Sequence, residues 1–421
     1  MDFAIVARFA LKPVRLVPYI GRGLKMKYDV VVVGSGPAGS VTARFAAETG
    51  AKVLIIERRA EIGVPVLCGE GISQKVDHFN VLEGKRWIAT KMKGARIFSP
   101  NGTKITLAAE YAGNETGYVV YRDIFDQELA KGAVQKGAEL MLNTCAVNLL
   151  KKNGKIKGII AQHFDETFEI EADIVVGADG VESRIGKWAG IQTTLKPYDL
   201  ETCAQYTLTN IDWDSTYCDF FLGSKVAPGG YVWIFPKGKD VANVGIGVLA
   251  SLSDSGKALR LLDQFIALKP QLKQGEPLRL ITGADPVAKP IKSVKDNLLL
   301  VGDAARQVDP ITGGGLMHAI EAGKYAGETI GKAVKAQRFD SQLLMDYETK
   351  WKTAFEKKLH RNYVAKEIML DMEDKTLDML ADSLKDYKFE EFSTLSIIKA
   401  LVTKHPSLLV KLAPLMKLAR A

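Results

Sequence analysis

Three glycines near the start of the chain have the spacing of a phosphate-binding turn. Gly34, Gly36 and Gly39 form the pattern Gly-x-Gly-x-x-Gly, and the acidic residue Glu57 follows within the next segment. In such a pattern the first glycine permits a tight turn, the second lets backbone approach a pyrophosphate, and the third lets a helix pack closely on a strand. Amide groups at the helix start then face the phosphates, and the acid accepts hydrogen bonds from a ribose. The spacing therefore predicts a dinucleotide site.

The elements around this turn are those that the site requires. A run of β-branched residues at 28–33 predicts a buried parallel strand, residues 40–49 predict a helix, and residues 52–57 predict a second strand that ends at Glu57. A strand, helix and strand within about 30 residues form the unit in which this glycine pattern is specific.

Two more acidic residues follow predicted strands farther along the chain. A run from Ile174 ends in the turn Asp179-Gly180, and a run from Asn297 ends at Asp303. A glycine-rich stretch at 313–315 then opens a further helix. Ligands of open α/β sheets collect at the carboxyl ends of the strands. We find no second Gly-x-Gly-x-x-Gly pattern, so the sequence supports one dinucleotide domain.

The cysteines and histidines give no indication of a metal. The four cysteines are far apart and form no Cys-x-x-Cys pair, which excludes a zinc ribbon or a ferredoxin-type cluster on spacing. The five histidines show no ligand spacing either. Such sparse cysteine usage favours reduced thiols and a cytoplasmic location. The four are Cys68, Cys145, Cys203 and Cys218.

The basic charge of the chain is concentrated at its ends. The net charge is +8, of which residues 1–25 carry +4 and residues 392–421 carry +5, so the remainder is close to neutral. This distribution argues against a nucleic-acid groove and for peripheral contact with an anionic membrane surface. The C-terminal segment also predicts an amphipathic helix with apolar residues on one face, and residues 1–25 are either a membrane-touching extension or precede a true start at Met26. The apolar face comprises Leu408, Leu409, Leu412, Leu415 and Met416.

The order of these fingerprints resembles the aromatic-hydroxylase group of flavoproteins. Two further motifs, Pro65-Val-Leu-Cys68-Gly-Glu-Gly71 and the stretch 228–236 with its Tyr-x-Trp-x-Phe-Pro pattern, resemble the geranylgeranyl reductase family, and within it the archaeal digeranylgeranylglycerophospholipid reductases. The resemblance covers residues 26–421. The chain differs from the family pattern at Leu67, where an arginine is common.

The resemblance implies the fold class and the domains. We expect an α/β protein with a Rossmann-like FAD-binding domain, a second domain with an antiparallel sheet for substrate, and a helical C-terminal region. The FAD-binding domain would be discontinuous, and residues 1–25 lie outside the resemblance. The expected segments are 26–75, 116–199 and 291–335 for FAD, 76–115 and 200–290 for substrate, and 336–421 for the helical region.

The resemblance also implies roles for individual residues toward FAD. Gly39 and Glu57 would hold the ADP part, together with the phosphate turn at Gly34 and Gly36. Arg122 would contact the phosphate or ribose region, although a solvated charge at a helix start is the alternative. The remaining expected contacts are Ala146 for adenine, Asp303 for the ribityl chain, Gly315 and Leu316 for the pyrimidine edge, and Cys68, Gly69 and Gly71 for the isoalloxazine side.

The implied reaction is the saturation of geranylgeranyl double bonds in archaeal ether phospholipids. An isolated double bond needs a proton as well as a hydride, with positive charge building on the tertiary carbon. Tyr231 and Trp233 share parity on a strand, so their rings can stabilise that charge by ~1–2 kcal/mol, unless they are simply core residues. Cys68 is either a proton donor or a buried structural thiol.

Other functions remain open at this stage. A chlorophyll-pathway geranylgeranyl reductase and a flavin-dependent hydroxylase are the enzymatic alternatives, and a membrane-associated electron-transfer flavoprotein is the non-enzymatic one. A ferredoxin, a reduced deazaflavin or NAD(P)H would each serve as electron donor.

Overall fold

The computed structural model describes residues 26–109 and 116–386, together with residues 403, 404, 413 and 415. The strands in this part of the chain are β1 (Met26–Val33), β2 (Val53–Ile56), β3 (Gly71–Ile72), β4 (Ile88–Lys91), β5 (Gly94–Phe98), β6 (Lys104–Ala108), β7 (Tyr118–Val120), β8 (Glu139–Met141), β9 (Thr144–Lys152), β10 (Lys155–His163), β11 (Glu166–Gly177), β12 (Leu200–Thr209), β13 (Tyr217–Phe221), β14 (Val232–Pro236), β15 (Ala242–Leu249), β16 (Glu276–Pro286), β17 (Val294–Lys295) and β18 (Leu298–Leu300). The helices are α1 (Pro37–Ala47), α2 (Arg122–Gln135), α3 (Arg184–Trp188), α4 (Lys257–Ala267), α5 (Pro270–Lys273), α6 (Leu316–Ala336), α7 (Ser341–Trp351), α8 (Lys357–Leu370) and α9 (Asp374–Leu384).

The first sheet has a parallel core with the order β18-β11-β1-β2-β8. Strand β17 pairs with β18 in the antiparallel sense, and β10 and β9 extend from β11. The alternation of β1 places Val30 and Val32 in the cluster beneath α1 and α6, while Val31 and Val33 face the cluster beneath β9 and β10. Because both faces are covered, the strand is apolar without interruption from Val30 to Val33.

The glycine-rich turn joins β1 to α1 as the sequence predicts, but the helix begins at Pro37, three residues before the expected start. Gly34 has a φ of +103°, and a Cβ there would lie 2.4 Å from the carbonyl oxygen of Ala178. A Cβ on Gly39 would lie 2.0 Å from the Gly34 oxygen. These two glycines therefore let the helix pack closely against the turn and the neighbouring strand.

The second sheet has the order β16-β12-β15-β14-β13-β5-β6 and draws its strands from residues 94–108 and 200–286. Its pairs are antiparallel except for β13 and β5, which come from separate segments of the chain and run parallel. Helix α4 covers the outer face through Leu262 and Phe265. Strands β3, β7 and β4 form a third, smaller sheet.

The C-terminal region is helical, and α7 continues into α8 through a π-helical turn at Lys352–Glu356. It is tied to the first sheet by Tyr347, whose hydroxyl donates to the Leu300 oxygen at 2.8 Å. No helix in the described part of the chain combines the length and hydropathy needed to cross a bilayer.

Most of the predicted amphipathic segment, and all of residues 1–25, lie outside the described residues. Leu415 is described, and it is buried among Ile105, Leu107 and Leu384. At least this member of the predicted apolar face therefore packs on the protein itself.

Candidate active site

A cavity of about 860 Å³ is lined by residues from both large sheets. This volume is within the usual range for sites that hold a cofactor or small molecule. Of the residues predicted for the site, only Gly39 does not line it, because Gly39 lies within the contact between α1 and the turn. The predicted residues that the cavity brings together are Gly34, Gly36, Glu57, Cys68, Gly69, Gly71, Arg122, Ala146, Tyr231, Trp233, Asp303, Gly315 and Leu316.

The start of α1 leaves room for a phosphate group. A Cβ on Gly36 would meet nothing within 4 Å, so the space above the first helical amides is open. Glu57 stands beside it, with Oε2 accepting hydrogen bonds from the amide and hydroxyl of Ser35 at 3.0 and 2.9 Å. Its Oε1 accepts from the Arg59 amide at 3.0 Å. These bonds fix the carboxylate at the cavity wall, where it keeps accepting capacity for sugar hydroxyls.

A second acidic side chain at the cavity has an unused acceptor. Oδ2 of Asp179 accepts from the Ile185 amide at 2.9 Å, whereas its buried Oδ1 has no hydrogen-bond partner among the described residues. Burial raises the pKa of this carboxyl group, and the amide hydrogen bonds oppose the rise. An orphaned acceptor and open space at the helix start both fit a dinucleotide with phosphate and hydroxyl groups.

Arg122 begins α2 and is paired rather than solvated. Its guanidinium donates to Asp126 through Nε and Nη2, both at 2.9 Å, and its side chain is only 14 % exposed. Burial disfavours the cation, but Asp126 and Cys68 outweigh it and raise the pKa of Arg122. The cavity therefore contains a permanent positive charge of fixed orientation.

Cys68 lies in the loop before β3, close to this charge. Its sulphur accepts a hydrogen bond from the Glu70 amide at 3.2 Å. Burial raises the pKa of the thiol, while Arg122 and that amide lower it. The net rise keeps Cys68 protonated at neutral pH.

Glu70 was not predicted from the sequence, yet it links four parts of the site. It has a φ of +75° and is 1 % exposed. Oε1 accepts from the Arg122 amide at 2.8 Å, and Oε2 accepts from Lys237 Nζ at 2.5 Å and from Asn243 Nδ2 at 2.6 Å. The carboxylate therefore joins the Cys68 loop and α2 to the second sheet.

Aromatic rings form the wall of the cavity on the second sheet. Tyr231, Trp233 and Phe235 share parity and all line the cavity. The Tyr231 and Trp233 rings meet edge to face at 5.9 Å, and the Tyr231 hydroxyl donates to the Thr312 oxygen. A Cβ on Gly245 would lie 2.3 Å from the Trp233 ring, so this glycine makes room for the indole.

Gln205 connects this wall to the Cys68 loop. Its Oε1 accepts from the Trp233 indole at 2.7 Å, and its Nε2 donates to the Cys68 oxygen at 3.1 Å. The sequence offers one signal for it, the placement of Glu201, Cys203 and Gln205 at alternate positions of one strand, and the threonines of the same strand weaken that signal.

The remaining predicted residues lie where three strands and a helix approach the cavity. Asp303 follows β18, and burial raises the pKa of its carboxyl group while Arg122 lowers it. Gly315 precedes α6, which begins at Leu316 and points its N-terminus at the cavity wall. Ala146 belongs to β9 itself, and Gly71 to β3.

Groups of metal-ligating side chains are not found among the described residues. All four cysteines are free thiols, and three of them, Cys68, Cys145 and Cys203, line the cavity. The site geometry is that of a cofactor pocket facing an aromatic wall.

The fold and the cavity define a flavoprotein of the aromatic-hydroxylase type, and family models agree. An FAD binding domain matches residues 27–203, and a geranylgeranyl reductase catalytic domain matches residues 199–284. The chain is an FAD-dependent oxidoreductase.

Relatives identify the family more closely. A digeranylgeranylglycerophospholipid reductase of Methanothrix thermoacetophila is 43% identical over 92% of this chain and 99% of its own length. Its counterpart in Methanosarcina mazei is 45% identical over 94% of this chain and 97% of its own. The chain belongs to the digeranylgeranylglycerophospholipid reductase family.

Solved structures agree on the fold. A geranylgeranyl bacteriochlorophyll reductase-like protein from Thermoplasma acidophilum is 42% identical, has a TM-score of 0.88, and covers 93% of this chain and 100% of its own. A flavin-dependent brominase matches with a TM-score of 0.67, 91% of this chain and 100% of its own, but at 18% identity this match shows the fold alone.

Proposed function

We propose that this protein saturates the geranylgeranyl double bonds of archaeal ether phospholipids such as digeranylgeranylglycerophospholipid. The observation that carries this proposal is a single cavity lined by both the phosphate turn and the wall of Tyr231 and Trp233. The names of the relatives supply the substrate class. An apolar polyprenyl chain fits an aromatic wall, and the open helix start fits a cofactor phosphate.

FAD, when bound, supplies the electrons for the reduction. In our proposal its phosphates face Gly34 and Gly36, Glu57 binds the ADP ribose, and Asp303 binds the ribityl chain. Arg122 faces the phosphate or ribose region, where its fixed charge offsets that of the phosphates. The other proposed contacts are Gly39 through its packing role, Ala146 at adenine, Gly315 and Leu316 at the pyrimidine edge, and Cys68, Gly69 and Gly71 at the isoalloxazine.

On the substrate side, we assign Tyr231, Trp233 and Cys68 as the catalytic residues. The two rings offer π faces to the positive charge that builds on the tertiary carbon. The bond of Trp233 to Gln205 and that of Tyr231 to Thr312 hold both rings in place. The protonated thiol of Cys68 lies at the junction of the cofactor and substrate regions.

The electron donor and the membrane surface are also part of the proposal. A ferredoxin, a reduced deazaflavin or NAD(P)H would reduce the flavin, and rapid mixing of the purified protein with each donor separates them.

The net charges of 1–25 and 392–421 support docking to anionic lipid. Removing 405–421 should then weaken binding to vesicles that contain phosphatidylglycerol, whereas binding to neutral vesicles stays unchanged. Equal binding by both forms would contradict the membrane role.

Lipid mass spectrometry after co-expression with a geranylgeranyl lipid pathway tests the reaction itself. Reduction adds two hydrogens per double bond, whereas hydroxylation adds one oxygen. We expect the first pattern. The control is a Gly34→Val variant, in which the phosphate turn cannot form. Unchanged lipids in the presence of flavin-loaded protein and a competent donor would refute the proposal.

A further inference from the structure

One face of β12 turns three polar side chains toward the cavity. Glu201, Cys203 and Gln205 alternate along the strand and all line the cavity. Gln205 connects Trp233 to the Cys68 loop. Glu201 makes no comparable hydrogen bond within the described part of the chain, although burying a carboxyl group without a partner costs free energy.

Glycines make the room that the Glu201 side chain occupies. A Cβ on Gly247 would lie 2.5 Å from Oε2 of Glu201, and one on Gly230 would lie 3.4 Å from Oε1. Gly247 lies in β15 beside the aromatic wall, since its amide donates to the main-chain oxygen of Tyr231 at 3.0 Å. The carboxyl group therefore lies on the floor of the cavity next to Tyr231.

The Glu201 carboxyl group is buried and weakly compensated. It is 6 % exposed, and no residue in the described part of the chain donates a hydrogen bond to it. Lys366 on α8 lowers its pKa, but that ammonium is already bound by the oxygens of Val287 at 2.8 Å and Tyr198 at 3.2 Å.

Burial outweighs Lys366 and raises the pKa of Glu201 to about 7. The other titratable groups near it are Cys203 on the same strand, Asp285 on β16 and Tyr231 ahead of β14. At neutral pH the acid form is therefore well populated and can release its proton. The thiol of Cys68 is a poorer acid under these conditions, because burial raises its pKa further above neutrality.

We propose that Glu201 donates the proton that completes the reduction of each double bond. This inference rests on the proposed function. Two-electron-reduced FAD, when bound, would supply the hydride equivalent for one C–H bond and be left oxidised, and Glu201 would supply the proton for the other. The π bond of the alkene and the O–H bond of Glu201 break, and solvent returns a proton to the carboxylate. A positioned general acid of this kind contributes about 10²- to 10⁴-fold to a rate.

The first test uses pre-reduced holoenzyme mixed anaerobically with geranylgeranyl lipid, with flavin reoxidation as the readout. Glu201→Gln should slow reoxidation by about 10²- to 10⁴-fold, while flavin content and reduction by dithionite stay as in the wild type. Glu201→Asp should recover part of the rate because it restores an acid. Glu367→Gln is the matched control, since it removes an exposed carboxylate from the same lysine outside the cavity and should leave the rate unchanged.

The rate of the wild type should also fall as pH rises through about 7, and that fall should be absent in Glu201→Gln. Infrared difference spectra of the apoprotein supply a readout that does not depend on turnover. A protonated carboxyl band that titrates near that pH should be present in the wild type and missing from Glu201→Gln.

The outcomes separate the inference from the proposed function. A wild type that the lipid does not reoxidise refutes the function. A wild type that turns over, with Glu201→Gln within about threefold of it, overturns the role of Glu201. Cys68→Ala is the complementary variant. If flavin reoxidation is slow in Cys68→Ala and fast in Glu201→Gln, the thiol donates the proton instead.

Discussion

Replacing Glu70 with glutamine tests the network that joins the two sides of the cavity. The Glu70→Gln side chain keeps its size, and its oxygen can still accept from one donor. However, the Lys237 ammonium, only 8 % exposed, loses its counter-charge. Removing one partner of a buried ion pair costs about 3–5 kcal/mol, because the remaining charge stays buried. The Tyr121 ring, 4.5 Å from that ammonium, still offers cation–π attraction, so we expect the lower end, about 3 kcal/mol.

Urea unfolding of the apoprotein measures this loss as a change in the free energy of unfolding. Asp254→Asn is the matched control, since its ion pair with Arg260 is exposed on both sides and should cost less than about 1 kcal/mol. Adding Lys237→Met to Glu70→Gln should recover part of the loss by removing the unpaired cation. A loss no larger than that of the control, or no recovery in the double variant, would refute the reasoning.

Three further predictions concern the turn, the carboxyl group on the cavity floor and the aromatic wall. Gly36→Ala should unfold like the wild type but retain less FAD, whereas Gly34→Ala should be destabilised because its Cβ meets Ala178; equal urea midpoints for the two would contradict this. Because burial raises the pKa of Glu201 from 4.5 to about 7, its contribution to stability is present below pH 4.5 and is lost as pH rises to about 7. The loss is about 3 kcal/mol, and a Glu201→Gln stability profile that keeps the full pH dependence would rule it out. Trp233→Phe should lower the free energy of unfolding by about 1–3 kcal/mol, as the buried Gln205 oxygen loses its donor; wild-type stability would argue against that bond.

The FAD-binding half of the fold could be predicted because its signals are local. Gly34 and Gly39 are required by the close approach of the backbone at a single turn, and the apolar run of β1 is read directly from consecutive residues. The fold class and the cofactor were confirmed by the family models. The start of α1 was wrong by three residues, since Pro37 is favourable in the first turn of a helix and does not delay it.

The interior of the site could not be predicted in the same way. Glu70, Lys237 and Asn243 come from a loop, a strand end and another strand, so nothing in their sequence spacing shows that they meet. In the sequence, Glu201 cannot be distinguished from an exposed acidic residue at the start of a strand. Its burial follows from the folded sheet, which places it beside Gly247. Such groups depend on tertiary contact, for which a single sequence carries no direct signal. The individual roles proposed for the cavity residues stay predictions.

The π-helical turn at Lys352–Glu356 makes the length of the C-terminal region matter as much as its composition. A π-helical turn is in effect an α-helical turn with one inserted residue, so an uninterrupted α-helix of the same sequence would rotate all that follows by about 100°. Asn362 would then turn away from Asp309, and Lys366 from the Val287 oxygen. Deleting one residue within the π-helical turn should therefore leave these two contacts in place, whereas an alignment that ignores the extra residue would match α8 one position out of register.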